Sequence, residues 1–278
     1  MSNKLNFVFF GTPDVASETL EILKQAGYLP SLIVTATDKP QGRKMLLTPP
    51  PVKIWAMENN IPFLQPEKID EEFTLKLSTL DFQLSLVVAY GKILPEEILN
   101  IPKLGYFNIH YSLLPKYRGA SPVESTILNG ETQTGVTIQK MAFKMDAGAI
   151  VAQTETEIGV TETAPELRSR LIKIGGVLLV ETLPKIIDGS ITETEQNGNE
   201  ATFCKKIKKE DGQIDLDADP KQNYNKFRAY AHWPRTFFFK DGKRIIITDA
   251  SLIDGKFVIN KIIPEGGKET AYNPSTLV

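Results

Sequence analysis

Asn108 and His110 lie two residues apart in the run NIHYSLLPKYRG (108–119), and Asp146 follows in KMDAGAIV (144–151). These are the residue types with which the chain could do chemistry. If the segment around 107–111 is a strand, the side chains at 108 and 110 emerge on one face. An amide that can donate to a developing oxyanion, beside an imidazole that can move a proton, suits acyl transfer. A carboxylate nearby would fix the imidazole tautomer and stabilise the imidazolium. No cysteine and no Gly-rich phosphate loop accompanies them, so the set points to acyl-group chemistry without a covalent intermediate. The bland readings stand beside this one: His110 as a half-buried structural histidine, and Asp146 as a cap or Asx-turn residue between a strand and a glycine.

The elements that must position these residues read as an α/β sheet. Residues 5–10 are an apolar run broken only by Asn6 and ending in Gly-Thr, as expected of a strand buried on both faces. A helix opens at Pro13-Asp14 and runs to Gly27, with Val15, Leu20, Ile22 and Leu23 on its apolar side. Further strands are expected at 31–37, 61–64, 84–90, 107–111, 135–141 and 149–158, and helices at 52–60, 67–79, 95–99 and 163–188. Strands alternating with helices imply a mainly parallel, doubly wound sheet. The loop SLLP (112–115) then falls at a strand's C-terminal end, where such sheets bind ligands. FFGTPD (9–14) looks like a nucleotide-binding turn, but it has no G-x-G-x-x-G, so a dinucleotide cofactor is rejected.

After Gly189 the texture becomes polar, with Asn-Gly turn signals, and reads as a linker over 190–202. A helix near 220–231 and short strands around 236–240, 244–248 and 256–263, separated by Asp-Gly turns, make a small, mostly β module. The expected organisation is therefore a catalytic domain over 1–189, a linker over 190–202 and a C-terminal module over 203–278. His232-Trp233-Pro234 reads as a helix end and turn, with Trp233 packed in a structural role.

The 278 residues suit a large domain with a smaller partner, and 41% hydrophobic with 24% charged residues is ordinary for a globular chain. FVFF near the start is too short for a signal peptide and no apolar run reaches membrane-span length, so a cytoplasmic protein without membrane contact is expected. The single cysteine, Cys204, excludes an internal disulfide, and one cysteine with two histidines argues against a metal site. Net charge is −2, yet residues 201–278 carry 14 Lys+Arg against 10 Asp+Glu, leaving 18 against 24 in residues 1–200. A basic end behind an acidic body can hold a polyanion, with Lys205, Lys206, Lys208 and Lys209 as candidates; a solvated charge run is the alternative. Arg43 and Lys44 sit in a long Pro-rich loop (38–51) and either grip an anionic substrate or keep the loop soluble, with loop length favouring contact.

FFGTPDVA, DKPQGRK with TPPPVK, VVAYGKILP, NIHYSLLPKYRGASPV, TGVTIQKMAFKMDAGAI and KKIKKEDGQID together resemble the methionyl-tRNA formyltransferase family, in order and over nearly the whole chain. NIHxSLLPxYRGAxP alone marks only the wider folate-dependent formyltransferase superfamily; the basic Pro-rich loop and the C-terminal KIKKEDGQID point to the tRNA enzymes. The resemblance implies a Rossmann-like catalytic domain, an OB-like C-terminal β module that binds tRNA, 10-formyltetrahydrofolate as formyl donor, and the α-amine of methionyl initiator tRNA as acceptor, for translation initiation. It carries catalysis onto Asn108, His110 and Asp146. The folate site falls on Ser112, Leu113, Leu114 and Pro115 and on the loop with Val88, Ala89, Tyr90, Gly91 and Ile93, and tRNA contact on Arg43. No metal is implied, and a monomer is expected. One departure is that the chain between RIIITDASLIDGK and INKIIPEGGKE is shorter than the family pattern, which implies an incomplete barrel and weaker, more salt-sensitive tRNA binding.

Three rival readings make different demands on the chain. An amino-sugar nucleotide formyltransferase would need neither the 38–51 loop nor the basic C-terminal module. A formate-releasing hydrolase would be expected to carry a regulatory domain ahead of the first strand. A silent tRNA-binding module would have no use for an intact Asn/His/Asp set.

Overall fold

The computed structural model describes residues 5–42 and 44–273. Strand Phe7–Gly11 (β1) leads into helix Asp14–Gln25 (α1) and strand Leu32–Val34 (β2). Lys39–Gln41 (β3) and Leu46–Thr48 (β4) are followed by helix Pro51–Glu58 (α2), strand Phe63–Leu64 (β5) and helix Glu71–Ser78 (α3). Next come Leu84–Val88 (β6), the short helix Glu96–Leu99 (α4) and Tyr106–His110 (β7). Arg118–Gly119 (β8) and helix Pro122–Leu128 (α5) precede Gln133–Lys140 (β9), Ile150–Glu157 (β10) and the long helix Ala164–Asp188 (α6). The C-terminal part holds Phe203–Cys204 (β11), helix Pro220–Ala229 (α7), Phe237–Lys240 (β12), Lys243–Ile253 (β13), Lys256–Pro264 (β14) and Thr270–Ala271 (β15).

The chain forms two compact units. One comprises the chain up to Lys116, with Gly135–Thr154 and Ser169–Ala201; the other comprises Tyr117–Thr134, Glu155–Arg168 and the chain from Thr202 on. In the first, seven strands lie in the order β10-β9-β7-β6-β1-β2-β5. From β7 to β5 every pairing is parallel, and β9 joins β7 antiparallel. This is the mainly parallel, Rossmann-like sheet the apolar runs demanded: β1 and β6 are buried at all five positions each, as strands covered on both faces must be.

Alternation divides the faces. Val8, Phe10, Val87 and Tyr106 join Phe73 and Leu77 of α3 and Ile98 and Leu99 of α4 in one apolar cluster. On the opposite face, Ile109, Tyr111 and Val136 surround Gly175 of α6. Asn108 and His110 share the parity of Tyr106 and so emerge on the α3–α4 side.

Two local expectations change. The helix expected over 67–79 begins only at Glu71, because the Asp70 carboxylate accepts the Phe73 N–H at 3.1 Å and caps it there. The loop 38–51 is not structureless: β3 and β4 pair antiparallel as a hairpin, with Pro40 tolerated in so short a ribbon. Its base is held by Lys53 Nζ, which donates to both Asp38 oxygens at 2.9 and 2.7 Å, and by Gln65, whose amide donates to Asp38 Oδ1 at 2.8 Å.

In the second unit, β12-β13-β14-β15 form a linear four-stranded antiparallel sheet, the small β module anticipated. Register shifts around Asp249 bend β13. Ile214, Phe238, Ile245, Ile247 and Ile262 form its core, with Phe227 of α7 packed against them. Trp233, expected to be packed, is 51% exposed. Among the described residues no helix is long and apolar enough to cross a membrane.

Candidate active site

Parallel pairing fixes where the site must form. β6 and β7 run side by side with Val87 opposite Asn108, so the segments that leave their C-terminal ends, 89–93 and 111–115, emerge together. The turn after β1 joins them, since the Thr12 hydroxyl donates to the Tyr90 carbonyl at 3.1 Å. Ala89 and Gly91 hold φ of 46° and 83°, which folds this loop tightly back over the strand end. Val88 and Tyr90 are buried, whereas Ala89, Gly91 and Ile93 are exposed. The Tyr90 ring meets Phe10 edge-on at 5.3 Å, and burial pushes its phenol up to about 12, which leaves a neutral hydroxyl at neutral pH. That hydroxyl is buried without a protein partner and is available to a ligand.

The second loop is held by one hydroxyl. Thr137 of β9 stands opposite His110 in the antiparallel register and is fully buried. Its Oγ1 donates to the Ser112 carbonyl at 2.7 Å and accepts from Leu114 N–H at 3.1 Å and from Gln153 Nε2 at 2.7 Å. Gln153 Nε2 also reaches the Leu114 carbonyl at 3.1 Å, and Ser112 Oγ donates to the Lys116 carbonyl at 2.6 Å. Leu114–Pro115 is a cis peptide bond. Ser112 and Leu114 are buried, while Leu113 and Pro115 are partly open.

His110 is 5% exposed, and its Nδ1 lies 3.7 Å from Asp146 Oδ1. Asp146 reaches it from the loop between β9 and β10. The base of that loop is closed by Lys140 N–H donating to the Ala149 carbonyl at 2.9 Å. Gly148 makes the closure possible, since a Cβ there would sit 1.8 Å from the Lys140 carbonyl oxygen. Asp146 itself holds φ of 48°, a left-handed conformation that Asp tolerates better than most residues. It is therefore a turn residue, as the bland reading has it, whose carboxylate also faces the imidazole.

Two glutamines that sequence reasoning passed over hold Asp146, one through its carboxylate and one through the main chain. Gln139, opposite Asn108 in the register and 2% exposed, donates from Nε2 to Asp146 Oδ1 at 2.9 Å. Gln196 donates to the main-chain carbonyls of Asp146 and Gly148 at 2.9 and 2.7 Å. Gln196 belongs to the segment 190–202 expected as a linker, where Thr194 also exchanges hydrogen bonds with Ile150 at 2.8 and 2.9 Å. The legible signal for Thr137 and Gln139 was two polar residues at alternate positions of GVTIQKM, set between the apolar Val136 and Ile138.

The structure thus brings Asn108, His110 and Asp146 into one unit, with 88–93 and 112–115 beside the same strand ends. Lys44 lies exposed in the hairpin turn of that unit, and Arg43 lies outside the described residues. Lys205, Lys206, Lys208 and Lys209 are exposed in the second unit. Chemically, a buried imidazole backed by a carboxylate can hold or pass a proton, and an amide two residues away on the same face can donate to an oxyanion.

Residues 4–183 match the family described as Formyl transferase, and residues 206–270 match the Formyl transferase C-terminal domain. The methionyl-tRNA formyltransferase of Caldicellulosiruptor saccharolyticus is 41% identical over 251 residues, covering 89% of this chain and 80% of the relative. That of Bacillus licheniformis is 42% identical over 239 residues, covering 86% and 76%. Among solved structures, an N-formyltransferase from Helicobacter canadensis, in complex with folinic acid and dTDP-3-aminofucose, shares the fold with a TM-score of 0.70 at 18% identity, over 96% of this chain and 98% of that one.

Proposed function

The chain belongs to the formyl transferase family, and on that premise we propose that it moves the formyl group of 10-formyltetrahydrofolate to the α-amine of methionyl initiator tRNA, for translation initiation. The observation that carries the mechanism is the buried His110 imidazole held 3.7 Å from the Asp146 carboxylate, with Asn108 on the same strand face. The chain up to Gly189 acts as the catalytic domain, 190–202 connects it, and the part from Phe203 on binds tRNA. The protein works as a monomer in the cytoplasm.

An amine next to an ester is less basic than that of a free amino acid, so much of it is unprotonated near neutral pH. It attacks the formyl carbon directly, forming the new C–N bond and a tetrahedral oxyanion. Neutral His110 takes the proton that the attacking amine loses, and the imidazolium so formed donates to the oxyanion together with Asn108. As the bond from the formyl carbon to folate N10 breaks, His110 passes the proton lost by the amine to N10. Asp146 orients the imidazole and stabilises its charged form. Neither Ser112 nor Cys204 acts as a nucleophile. The segments 88–93 and 112–115 line the folate site, with the unpartnered Tyr90 hydroxyl offered to it. Lys44 and Arg43 approach the tRNA acceptor end, and Lys205, Lys206, Lys208 and Lys209 meet its phosphates.

The test is formylation of methionyl initiator tRNA with 10-formyltetrahydrofolate, by the wild type and by His110→Ala. The wild type is expected to form formylmethionyl-tRNA, and the variant to lose on the order of 10²-fold or more in kcat while keeping its circular dichroism spectrum. Turnover of an amino-sugar nucleotide with none of the tRNA overturns the assignment.

A further inference from the structure

Two segments of the second unit that look unrelated in sequence lie against each other. The basic run 205–209 continues into a short 3₁₀ turn, Lys209–Gly212, and that turn ends on the loop 230–235. A Cβ on Gly212 would lie 2.2 Å from the Arg235 carbonyl oxygen and 3.0 Å from Pro234 Cγ, so the run's end rests flat on Pro234 and Arg235 because residue 212 has no side chain. The Ile214 N–H donates to the Phe237 carbonyl at 2.9 Å and locks the two segments in register. The loop itself is closed by the Arg235 N–H donating to the Tyr230 carbonyl at 3.1 Å, with Arg235 held at φ of 65°. Trp233, immediately before the buried Pro234, presents 51% of its surface to solvent, and His232 beside it is exposed. An indole this exposed contributes little to the core, and its backbone is fixed on both sides. Lys205, Lys206, Lys208 and Lys209 are exposed on the adjoining run. Two acids lie among them; Asp211 already accepts the Lys208 N–H at 2.7 Å, and Glu210 is exposed.

We infer that Trp233 is a stacking platform for an unpaired base of the RNA acceptor, with the 205–209 lysines and Arg235 neutralising the phosphates that flank that base. A half-exposed aromatic on a loop against which the end of a basic run rests combines the stacking surface and the cations by which proteins hold single-stranded nucleic acid. Base faces inside a duplex are already covered by their neighbours, so the indole's partner is an unpaired nucleotide rather than the stem. The inference rests on the tRNA reading above and adds to it the residue that grips the strand.

The chain contains two tryptophans, and Trp55 is 7% exposed, so Trp55→Phe leaves Trp233 as the sole tryptophan; the difference between wild type and Trp233→Phe supplies the same signal if Trp55→Phe fails to fold. Methionyl initiator tRNA is expected to quench Trp233 emission, and the same tRNA trimmed of its unpaired 3′ nucleotides is expected not to. Trp233→Ala should raise KM for the tRNA by about 5- to 150-fold, the span that stacking of one base on an aromatic ring covers, with kcat at saturating tRNA and KM for the folate unchanged. Trp233→Phe should recover most of the loss. An unaltered tRNA KM in Trp233→Ala, or equal quenching by the trimmed tRNA, overturns the inference. Quenching by tRNA in a wild type that transfers no formyl group supports the platform while refuting the reaction, so the two readings fail separately.

Discussion

Replacing Thr137 by Val removes one oxygen atom and leaves volume and β-branching nearly unchanged, so its consequences come from hydrogen bonding alone. In the native protein that oxygen serves three partners at 2.7, 3.1 and 2.7 Å, all at the loop 112–115 or at Gln153 that braces it. Without it, the buried Leu114 N–H has lost its acceptor, which costs about 1–3 kcal/mol, and the Ser112 carbonyl loses a donor worth about 0.5–1.5 kcal/mol. Gln153 keeps its bond to the Leu114 carbonyl and adds little to the loss. The total is about 1.5–4.5 kcal/mol in urea unfolding. Amide exchange at Leu114 should accelerate by about 5- to 150-fold, the equivalent of 1–3 kcal/mol. KM for the formyl donor should rise, because the loop proposed to line the folate site is no longer pinned. Thr137→Ser, which restores the hydroxyl, should recover most of each effect. Exchange at Leu114 that is unchanged in Thr137→Val, with stability within about 0.5 kcal/mol of wild type, would refute the reasoning.

Gln139→Met removes a donor to Asp146 worth about 1.5–3 kcal/mol, but it also removes the buried Gln139 Oε1, which has no partner and costs about 1–3 kcal/mol. Stability should therefore stay within about 1 kcal/mol of wild type while kcat falls; a large loss of stability with kcat intact, measured by urea unfolding and single-turnover formylation, contradicts this. Gly148→Ala forces a methyl to 1.8 Å from the Lys140 carbonyl, so the loop base must open, at about 1–3 kcal/mol, and Asp146 two residues earlier must move. A thermal melt and an activity assay that both match wild type would exclude that.

Much of the site's position was legible because two periodicities coincide. The apolar runs that became β1 and β6 announced a sheet buried on both faces, and the i, i+2 spacing of Asn108 and His110 announced a shared face once a strand was assumed. Register was not legible. Nothing in GVTIQKM says that Thr137 will stand opposite His110 and Gln139 opposite Asn108, because strand pairing is decided by packing across distant segments. Gln196 was hidden for a related reason: a polar stretch looks like a linker whether or not its amides are spent on another loop. The β3–β4 hairpin escaped because a proline and strands of three residues each leave almost no alternation to read. The exposure of Trp233 escaped because a tryptophan before a proline reads equally well as a packed anchor.

The antiparallel turn of β9 against β7 also constrains how the chain can change length. Val136 packs on the α6 side of the sheet, while Thr137 and Gln139 face the site from the other. One residue inserted or deleted within β9 would exchange those faces, putting an aliphatic side chain against His110 and a hydroxyl against the helix. Just beyond it, Ala142, Phe143, Lys144 and Met145 are all exposed above a loop base closed by Lys140 and Ala149. Insertions are expected to be lethal to activity within the strand and tolerated at that tip, so an insertion scan across 133–145 should show an abrupt boundary near Met141.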